Sequence, residues 1–371
     1  MSVQSTRKKK VTRGDVAERA GVSTAVVSYV MTGAKHVSPG TEARVRQAID
    51  ELGYRPNSNA RALKTGRTEL LGFVVPDVSN PYYAEFALEM EVAAAELGHA
   101  LIVANSHSDP RTEVKIVENL RAGIVDGLIV ASVFNVGSRA DSNVGDAPII
   151  WADSFDDEPG TASVGSDAFD GSRTAVEHLI RVHGHRRIAI ALGRGNREGD
   201  DPRLLGWSAA LREAGLPLGP VVQTQWNREG GVAAAHQLLD GPDRPDAVFA
   251  ASDLIAFGLL RAAKDLGVGV PADLAVVSYD GTQEAAYSSP RLTTLQQPIR
   301  EMARAAVETI IGYEPSRAGR RAFRGELSIR ESCGCEFLPG RAATDPTDPT
   351  DPTDPTDPTD PTDPTSRKDQ E

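Results

Sequence analysis

Side chains that suit the binding of a hydroxylated small molecule stand at or just after apolar runs along much of this chain. Carboxylates and an arginine form hydrogen bonds with hydroxyl groups, and aromatic rings stack on the face of a sugar or a base. The pattern predicts a site for a sugar or a nucleoside-like ligand. The candidate residues are Tyr82, Tyr83, Asp153, Arg203, Trp226, Asp253 and Asp280. Two alternatives stay open: helix capping by Asp253, and plain wall packing by the three aromatic rings.

Patterns that would indicate catalysis are incomplete. Residues 193–199 form a glycine-rich loop after a strand, but a dinucleotide fingerprint needs glycine where Glu198 stands. The sequence has no nucleophile elbow, phosphate loop or zinc-hydrolase pair. We therefore expect neither an enzyme nor a resident cofactor.

The histidines and cysteines do not form a recognisable metal motif. His178, His183 and His185 are read as a helix stop with histidines facing the helix dipole, in preference to a metal site. A disulfide between Cys333 and Cys335 would not stabilise a domain, because the two residues are too close in sequence. No further metal ligands are evident near them in the sequence. We favour free thiols without a structural role over a redox role, and we expect no metal.

The elements that must position the candidate residues alternate between strands and helices. Apolar runs at 70–75, 100–104, 127–131, 187–192, 247–251 and 274–278 are separated by helical patterns at 83–97, 112–123, 168–182, 203–214, 230–240 and 253–266. This alternation predicts parallel sheets covered by helices on both faces. Loops at the carboxyl ends of such strands are where ligands bind.

The first 55 residues carry different signals, those of three short helices. Thr12 and Asp15 can form a capping box, Gly21 permits a tight turn, and Ser23 can cap a second helix. Ser38, followed by proline, starts a third helix. In the second helix the valines face inward, which leaves four residues outward as candidates for contact with DNA bases: Thr24, Ala25, Ser28 and Tyr29. A three-helix bundle without a ligand is the alternative.

Charge is distributed unevenly along the chain. Up to Arg67 there are thirteen Lys/Arg and five Asp/Glu, a net charge of +8, whereas the whole chain carries −12 and the remainder therefore −20. A basic head on an acidic body is expected of a protein whose head binds phosphate. No apolar run approaches the length of a membrane span and no signal peptide is evident, so we expect a cytoplasmic, nucleoid-associated protein and no membrane partner.

Several motifs together resemble the LacI/GalR family of bacterial transcription regulators. They are Asp15-Val-Ala-x-x-Ala-Gly-Val-Ser, Val27-Ser, Val37-Ser, Leu52-Gly-Tyr-x-Pro-Asn, Ala60-Arg-Ala-Leu, Val125-Asp-Gly-Leu-Ile, Ser278-Tyr-Asp and Arg330-Glu-Ser-Cys. The resemblance covers about residues 11–333 and implies an all-α helix-turn-helix domain followed by an α/β body. That body is periplasmic-binding-protein-like, with two lobes of parallel sheet around one cleft. By resemblance, Arg203 and Asp280 match the positions that most regularly hold an effector.

The resemblance also divides the chain. It implies a basic arm at 1–10, a helix-turn-helix domain at 11–56, a hinge helix and linker at 57–68, and a two-lobed effector-binding and dimerisation domain at 69–340. It further implies that the hinge helix forms only on operator DNA, where the Leu63 side chains of a dimer wedge into the central base step. Asn57 and Arg61 belong to the same DNA-binding segment. An isolated helix of about eight residues is marginal in water, so the segment should fold only with a partner and the minor groove. Packing of Leu63 against the body is the alternative.

The recognition positions depart from a common family pattern in which an arginine sits near the end of the second helix. Thr24 can reach a base edge or a thymine methyl, Ala25 offers apolar contact only, and Tyr29 can donate one hydrogen bond. No arginine placed to make a bidentate contact with guanine is evident among them. The sequence therefore does not specify the operator.

Residues 341–371 contain seven Asp-Pro-Thr units between Asp345 and Thr365. Proline at every third position forbids helix and sheet, so we expect a disordered tail that cannot form the leucine-heptad helix of tetrameric relatives. A homodimer is therefore expected. An inert solubilising tail is favoured over one that competes with phosphates for the basic head.

The sequence thus predicts a repressor of double-stranded operator DNA, controlled by a sugar or related effector in the cleft. An activator, or a regulator that needs a corepressor, uses the same fold and stays an alternative. A solute-binding protein is less favoured because it would need export.

Overall fold

In the computed structural model of the protein, residues 11–55, 65–132, 147–153, 161–195 and 200–336 are described. Three segments discussed above lie outside these ranges: the basic arm, most of the hinge segment and the tail. The hinge residues Asn57, Arg61 and Leu63 therefore remain sequence-based expectations.

The N-terminal unit consists of helices α1 (Arg13–Ala20), α2 (Thr24–Thr32) and α3 (Pro39–Leu52). The Thr12 hydroxyl and the Asp15 carboxylate close the expected capping box, and Gly21 takes a left-handed φ of 66° in the turn to α2. The Ser23 side chain caps α2 by accepting from the Val26 amide. A small core is buried between the helices by Val16, Ala17, Ala20, Val27, Val45, Ala48 and Tyr54. The predicted three-helix unit is confirmed.

One expectation about this unit is wrong in detail. Ser38 stands at the N-cap of α3, ahead of proline, but its side chain makes no capping bond. The Ser38 hydroxyl instead donates to the Thr41 hydroxyl oxygen, 2.9 Å away. The start of α3 is thus fixed by proline and by backbone hydrogen bonds to the Ser38 carbonyl.

The N-terminal lobe is a six-stranded sheet with the order β11-β5-β4-β3-β1-β2. Its strands, which all pair in parallel, are β1 (Leu70–Val75), β2 (Ala100–Asn105), β3 (Gly127–Ala131), β4 (Ile149–Ala152), β5 (Ser163–Ser166) and β11 (Arg320–Phe323). The helices of this lobe are α4 (Pro81–Glu96), α5 (Pro110–Arg121) and α10 (Ile299–Ile311). Strand β2 forms one edge of the sheet.

The C-terminal lobe repeats this plan with the strand order β12-β10-β9-β8-β6-β7. Its strands are β6 (Ile188–Gly193), β7 (Val221–Thr224), β8 (Ala247–Ala250), β9 (Ala275–Asp280), β10 (Thr293–Gln296) and β12 (Glu326–Ser328). Its helices are α6 (Ala168–Arg181), α7 (Pro202–Glu213), α8 (Arg228–Leu239) and α9 (Asp253–Asp265). The pair β10 and β12 is antiparallel, which departs from the expectation of purely parallel sheets.

The chain passes between the lobes three times: from β5 to α6, from β10 to α10, and from β11 to β12. The passages lie side by side, since the Asp167 amide donates to the Phe323 carbonyl at 2.7 Å. A Cβ on Gly325 would lie 2.6 Å from the Gln296 carbonyl oxygen, so glycine is needed for the close approach. Three adjacent passages form a natural hinge between two rigid lobes.

No helix of the described residues is both long and apolar enough to span a membrane.

Candidate functional site

The candidate binding residues converge on one cleft between the lobes. Asn80 caps α4 and so places Tyr82 and Tyr83 in its first turn, after β1. Asp153 follows β4 directly, and Asp280 is the last residue of β9. Carboxyl ends of parallel strands meet at one edge of a sheet, and in each lobe that edge faces the cleft.

On the N-terminal side, two tyrosine hydroxyls converge on one carboxylate. The Tyr82 hydroxyl donates to Asp153 Oδ1 at 3.2 Å, and the Tyr83 hydroxyl donates to Asp153 Oδ2 at 3.3 Å. Burial raises the pKa of Asp153 to about 6, although Arg203 and both tyrosines favour its charged form. Burial and the neighbouring Asp153 also hold the pKa of both tyrosines well above the usual value, so both hydroxyls remain donors. The Asp153 carboxylate can therefore accept hydrogen bonds from the hydroxyl groups of a ligand.

On the C-terminal side, Arg203 is held by Asp201, two residues earlier in the chain. Arg203 Nε and Nη2 donate to the two Asp201 carboxylate oxygens at 3.0 and 2.8 Å. Burial disfavours the charged guanidinium, but Asp201 outweighs it and keeps the pKa of Arg203 above its ordinary value. The guanidinium carbon lies 4.3 Å from the centre of the Trp226 ring. Arg203 is therefore a fixed positive charge opposite the Asp153 group.

Trp226 is a wall of this side of the cleft. A Cβ on Gly193 would meet the indole at 2.0 Å, and the indole N–H donates to the Arg194 carbonyl at 3.1 Å. Gly193 packs against the indole ring, and the Arg203 guanidinium stacks on that ring. The indole therefore fixes the orientation of the guanidinium. This favours the wall-packing alternative for Trp226 over direct stacking on a ligand.

Asp280 joins the two halves of the site. Its carboxylate accepts from the Asp253 backbone amide at 3.1 Å and from Gln297 Nε2 at 3.2 Å. Gln297 lies in the passage from β10 to α10, and its side-chain oxygen lies 3.2 Å from the Tyr82 hydroxyl, which can donate its one proton either to Gln297 or to Asp153. Burial, followed by the nearby Asp253, holds the pKa of Asp280 well above the usual value. One chain of hydrogen bonds thus runs from the N-terminal lobe through the hinge to the C-terminal lobe.

The Asp253 side chain is held by hydrogen bonds from neighbouring residues of the protein. Its carboxylate accepts four hydrogen bonds, from the Ser278 and Thr294 hydroxyls and from the Thr282 amide and hydroxyl. It does not cap α9 either, because Ser252 does so by accepting from the Ile255 amide. Asp253 instead fixes the loop after β9 and hence the position of Asp280.

Two residues of the site, Asp201 and Gln297, were missed from the sequence. A signal existed for Asp201, because it precedes a proline at a helix start two residues before Arg203. Gln297 follows a strand and precedes Pro298. That strand, β10, is short and rich in polar residues, so the apolar pattern did not reveal its carboxyl end.

The candidate DNA-reading face lies on α2. Thr24 and Ala25 are exposed in the first turn, whereas Ser28 and Tyr29 are half-buried one turn later. The Lys35 ammonium lies 5.2 Å from the centre of the Tyr29 ring. The Ser28 carbonyl accepts from the Thr32 hydroxyl at 2.8 Å. The first turn of the helix therefore offers the most accessible contacts.

The fold brings two histidines, which are distant in sequence, close to the two cysteines. The ligand atoms of His178, His183, Cys333 and Cys335 all lie within 4.8 Å of one another. Burial, followed by the neighbouring His183, lowers the pKa of His178 to about 4, so its ring is neutral near pH 7. Burial, followed by Cys333, raises the pKa of the Cys335 thiol to about 12. His185, the third histidine of this stretch, is not part of the cluster, and its Nδ1 lies 3.6 Å from the Asp246 carboxylate.

Comparison with known families gives two matches within this chain. Residues 13–57 match the model of bacterial regulatory proteins of the lacI family, and residues 176–333 match a periplasmic binding protein-like domain. The HTH-type transcriptional regulator DegA of Bacillus subtilis is 34% identical over 328 residues, which are 87% of this chain and 94% of DegA. That relative is named as a regulator and not as an enzyme.

The solved structures that resemble most of this chain include two regulators with a bound small molecule. One is a transcriptional regulator CelR–cellobiose complex, with 33% identity, a TM-score of 0.65, and coverage of 87% of this chain and all of that one. The other is the lac repressor dimer bound to operator and the anti-inducer ONPF, with 28% identity, a TM-score of 0.77, and coverage of 88% and 99%.

Proposed function

The chain belongs to the lacI family of bacterial regulatory proteins and is a DNA-binding transcription regulator, and from that premise we propose that it is a homodimeric repressor controlled by a sugar-class effector. One observation carries the effector half of this proposal. Carboxylates, a fixed guanidinium and tyrosine hydroxyls from both lobes meet around one cleft. A regulator of chromosomal DNA works in the cytoplasm, at the nucleoid.

The effector contacts we propose are those with oriented polar atoms. Asp153 and Asp280 accept hydrogen bonds from ligand hydroxyls, and Arg203 donates hydrogen bonds to ligand hydroxyl oxygens. Tyr82 and Tyr83 form the wall of the site on the N-terminal lobe. Trp226 acts by orienting Arg203, and Asp253 acts by fixing Asp280. The cellobiose complex of CelR shows a sugar bound to a similar regulator, which supports this ligand class.

The DNA contacts we propose begin with Thr24 and Ala25, the exposed residues at the start of α2. An exposed first turn of a second helix is the part that reaches base edges in helix-turn-helix proteins. Ser28 and Tyr29 add contacts one turn later. The sequence-based roles of Asn57, Arg61 and Leu63 in the minor groove complete the proposal.

Control requires that the effector favour one arrangement of the lobes. Because Gln297 in the hinge bonds to Tyr82 on one side and Asp280 on the other, a ligand that competes for these groups changes the preferred angle between the lobes. A coupling of about 1–3 kcal/mol between cleft and operator changes operator affinity about 5- to 150-fold. Such a change is enough for regulation.

The experiment has two stages. Genomic fragments are first selected with purified full-length protein at physiological salt, and enrichment of a near-palindrome identifies the operator. Operator affinity is then titrated against a panel of sugars. We expect one sugar to weaken binding, and a sugar that strengthens binding would instead show the corepressor arrangement.

Arg203→Ala tests the site itself. It should abolish the sugar response while operator affinity in the absence of sugar stays within about twofold. The matched control is Arg212→Ala, on the exposed side of the same helix, which should respond like the wild type. A full response in Arg203→Ala would move the effector site away from this cleft.

A further inference from the structure

Two histidines and two cysteines, separated by about 150 residues of sequence, face one another in the C-terminal lobe. His178 stands in the last turn of α6 and His183 just after it, while Cys333 and Cys335 flank Gly334 near the end of the described chain. Cys335 Sγ lies 3.6 Å from His178 Nε2 and 3.3 Å from His183 Nε2. All four ligand atoms lie within 4.8 Å of one another.

Local backbone geometry builds this cluster. Gly184 takes a φ of 73° and turns the chain after α6, which leaves the His183 ring edge-on to His178 with 5.1 Å between ring centres. Gly334 takes a φ of 105°, and a Cβ on it would lie 3.4 Å from the His183 ring. The Cys-Gly-Cys segment is therefore folded around His183, with both sulfurs on the histidine side.

We propose that His178, His183, Cys333 and Cys335 bind one Zn²⁺ ion in tetrahedral geometry. Zinc bonds of about 2.3 Å to sulfur and 2.05 Å to nitrogen place sulfur and nitrogen ligands about 3.5 Å apart on a tetrahedron. The two sulfur–nitrogen distances around Cys335 fit that value. Two thiolates and two imidazoles form the donor set that selects zinc among the common divalent ions.

The surroundings hold the ligands in place. Cys333 is buried, and the Thr293 hydroxyl lies 3.1 Å from its sulfur, where it can donate to a thiolate. The adjacent Ser332 hydroxyl donates to the Val276 carbonyl at 2.6 Å, which ties the segment to β9. Such second contacts around a ligand are a regular feature of metal sites.

The position of the site indicates a structural role. The ion joins the segment after β12 to the end of α6, near the start of β9. Asp280 lies at the other end of that strand, four residues and about 13 Å beyond Val276. Zinc should therefore stabilise the C-terminal lobe and leave the effector response unchanged.

The test uses full-length protein without a histidine tag, purified without chelators. We expect one zinc per chain by elemental analysis, and a fall of about 5–15 °C in the Tm when a strong chelator removes it. Replacement by Co²⁺ should give a thiolate-to-cobalt charge-transfer band and the intense visible bands of tetrahedral cobalt.

Two variants assign the ligands. Cys335→Ser and His183→Gln should each lose stoichiometric zinc and the tetrahedral cobalt spectrum, while circular dichroism and operator binding report whether they are folded. The matched control is His185→Gln, next to the site but paired with Asp246, which should keep both. Wild-type protein that holds less than a tenth of an equivalent of zinc, or that shows a Cys333–Cys335 disulfide in freshly isolated protein, would overturn the proposal. Zinc retained in both ligand variants would overturn it too.

Discussion

Both carboxylates that line the cleft hold backbone angles that non-glycine residues rarely take. Asp153 has a φ of 52° and Asp280 a φ of 132°. Aspartate tolerates the first angle better than most residues, whereas the second lies outside the left-handed well. Strain of this kind persists where surrounding contacts fix it, and it concentrates at ligand-binding positions. Here the fixing contacts are the Asp253 amide and Gln297 for Asp280, and two tyrosines for Asp153.

Asp153→Asn tests the burial of this carboxylate through pH. The pKa is raised from 3.8 to about 6, so the wild type is penalised above pH 6, and the penalty fades as pH falls towards 4. Asparagine tolerates the same φ and does not ionise. We expect the Asp153→Asn variant to be more stable than the wild type at pH 7.5, by up to about 3 kcal/mol, and the advantage to shrink as pH falls to 4.5.

Thermal denaturation across that pH range measures the difference. Asp243→Asn, at an exposed position in the same body, is the control and should show little change. A difference between Asp153→Asn and wild type that is the same at every pH would contradict the prediction.

The candidate site was partly predictable from single residues. Asp153 and Asp280 could be identified because strand ends can be read from local apolar runs, and Arg203 was identified by its position after a glycine-rich loop and by the family resemblance. The role of Asp253 could not be read, because three of its partners lie 25 to 41 positions away. Side-chain pairing depends on how distant strands come together, and one sequence does not encode that in any local pattern.

Elements with strong local signals were predicted well. The six apolar runs and six helical patterns recovered strands and helices to within two residues at each end. Strands β4 and β7 correspond to the apolar residues ahead of Asp153 and Trp226, whereas β5, β10, β11 and β12 were not predicted, since each has three or four residues and several polar side chains. Helix α10 was also missed, although its buried residues Ile299, Met302, Ala306 and Ile310 follow helical spacing.

Helices α8 and α9 approach each other through two glycines. A Cβ on Gly258 would lie 1.9 Å from the Arg228 carbonyl oxygen, and a Cβ on Gly231 would lie 2.1 Å from the Ile255 carbonyl oxygen. Both clashes are with backbone, so no side-chain movement relieves them. The two helices can pack at this distance only without side chains.

Gly258→Ala should therefore destabilise the C-terminal lobe. The methyl group forces the helices apart, at a cost of at least about 1–3 kcal/mol, although alanine favours helix over glycine. Gly40→Ala in α3 is the matched control: a Cβ there meets no atom within 4 Å, and the change should be neutral or stabilising by up to about 1 kcal/mol. Urea denaturation measures both, and equal stability of Gly258→Ala and wild type would contradict the close packing.

The N-terminal unit, the two lobes and the hinge between them have separate roles in this molecule. The first 67 residues carry a charge of +8 and the remainder −20, which directs phosphate to the three-helix unit and away from the body. The two lobes are joined by three adjacent passages that permit rotation. The cleft residues lie around that hinge, whereas the proposed zinc ligands lie at the far end of one lobe.

Exposed apolar side chains occur on both lobes, and three of them lie on adjoining elements of the N-terminal lobe. In the N-terminal lobe, Leu88 is 59% exposed and Val92 46% exposed on α4, and Val103 is 40% exposed on the edge strand β2. Leu88 and Val92 are four residues apart and so share a face of the helix. A second copy of the chain is the occupant we propose, because a protein that reads a two-fold symmetric operator must present two recognition helices.

Leu88→Lys should separate the dimer. A charge at the centre of an apolar contact must be desolvated on association, and in the dimer it would face the same charge of the partner. We expect a mainly monomeric protein by sedimentation at micromolar concentration. Operator affinity should fall at least about 100-fold, since each monomer then binds one half-site without the effective concentration of the second.

Leu218→Lys is the matched control, because Leu218 is 50% exposed in the C-terminal lobe, and it should remain dimeric with unchanged affinity. If Leu88→Lys sediments as the wild-type dimer and binds the operator equally well, this face is not the dimer interface.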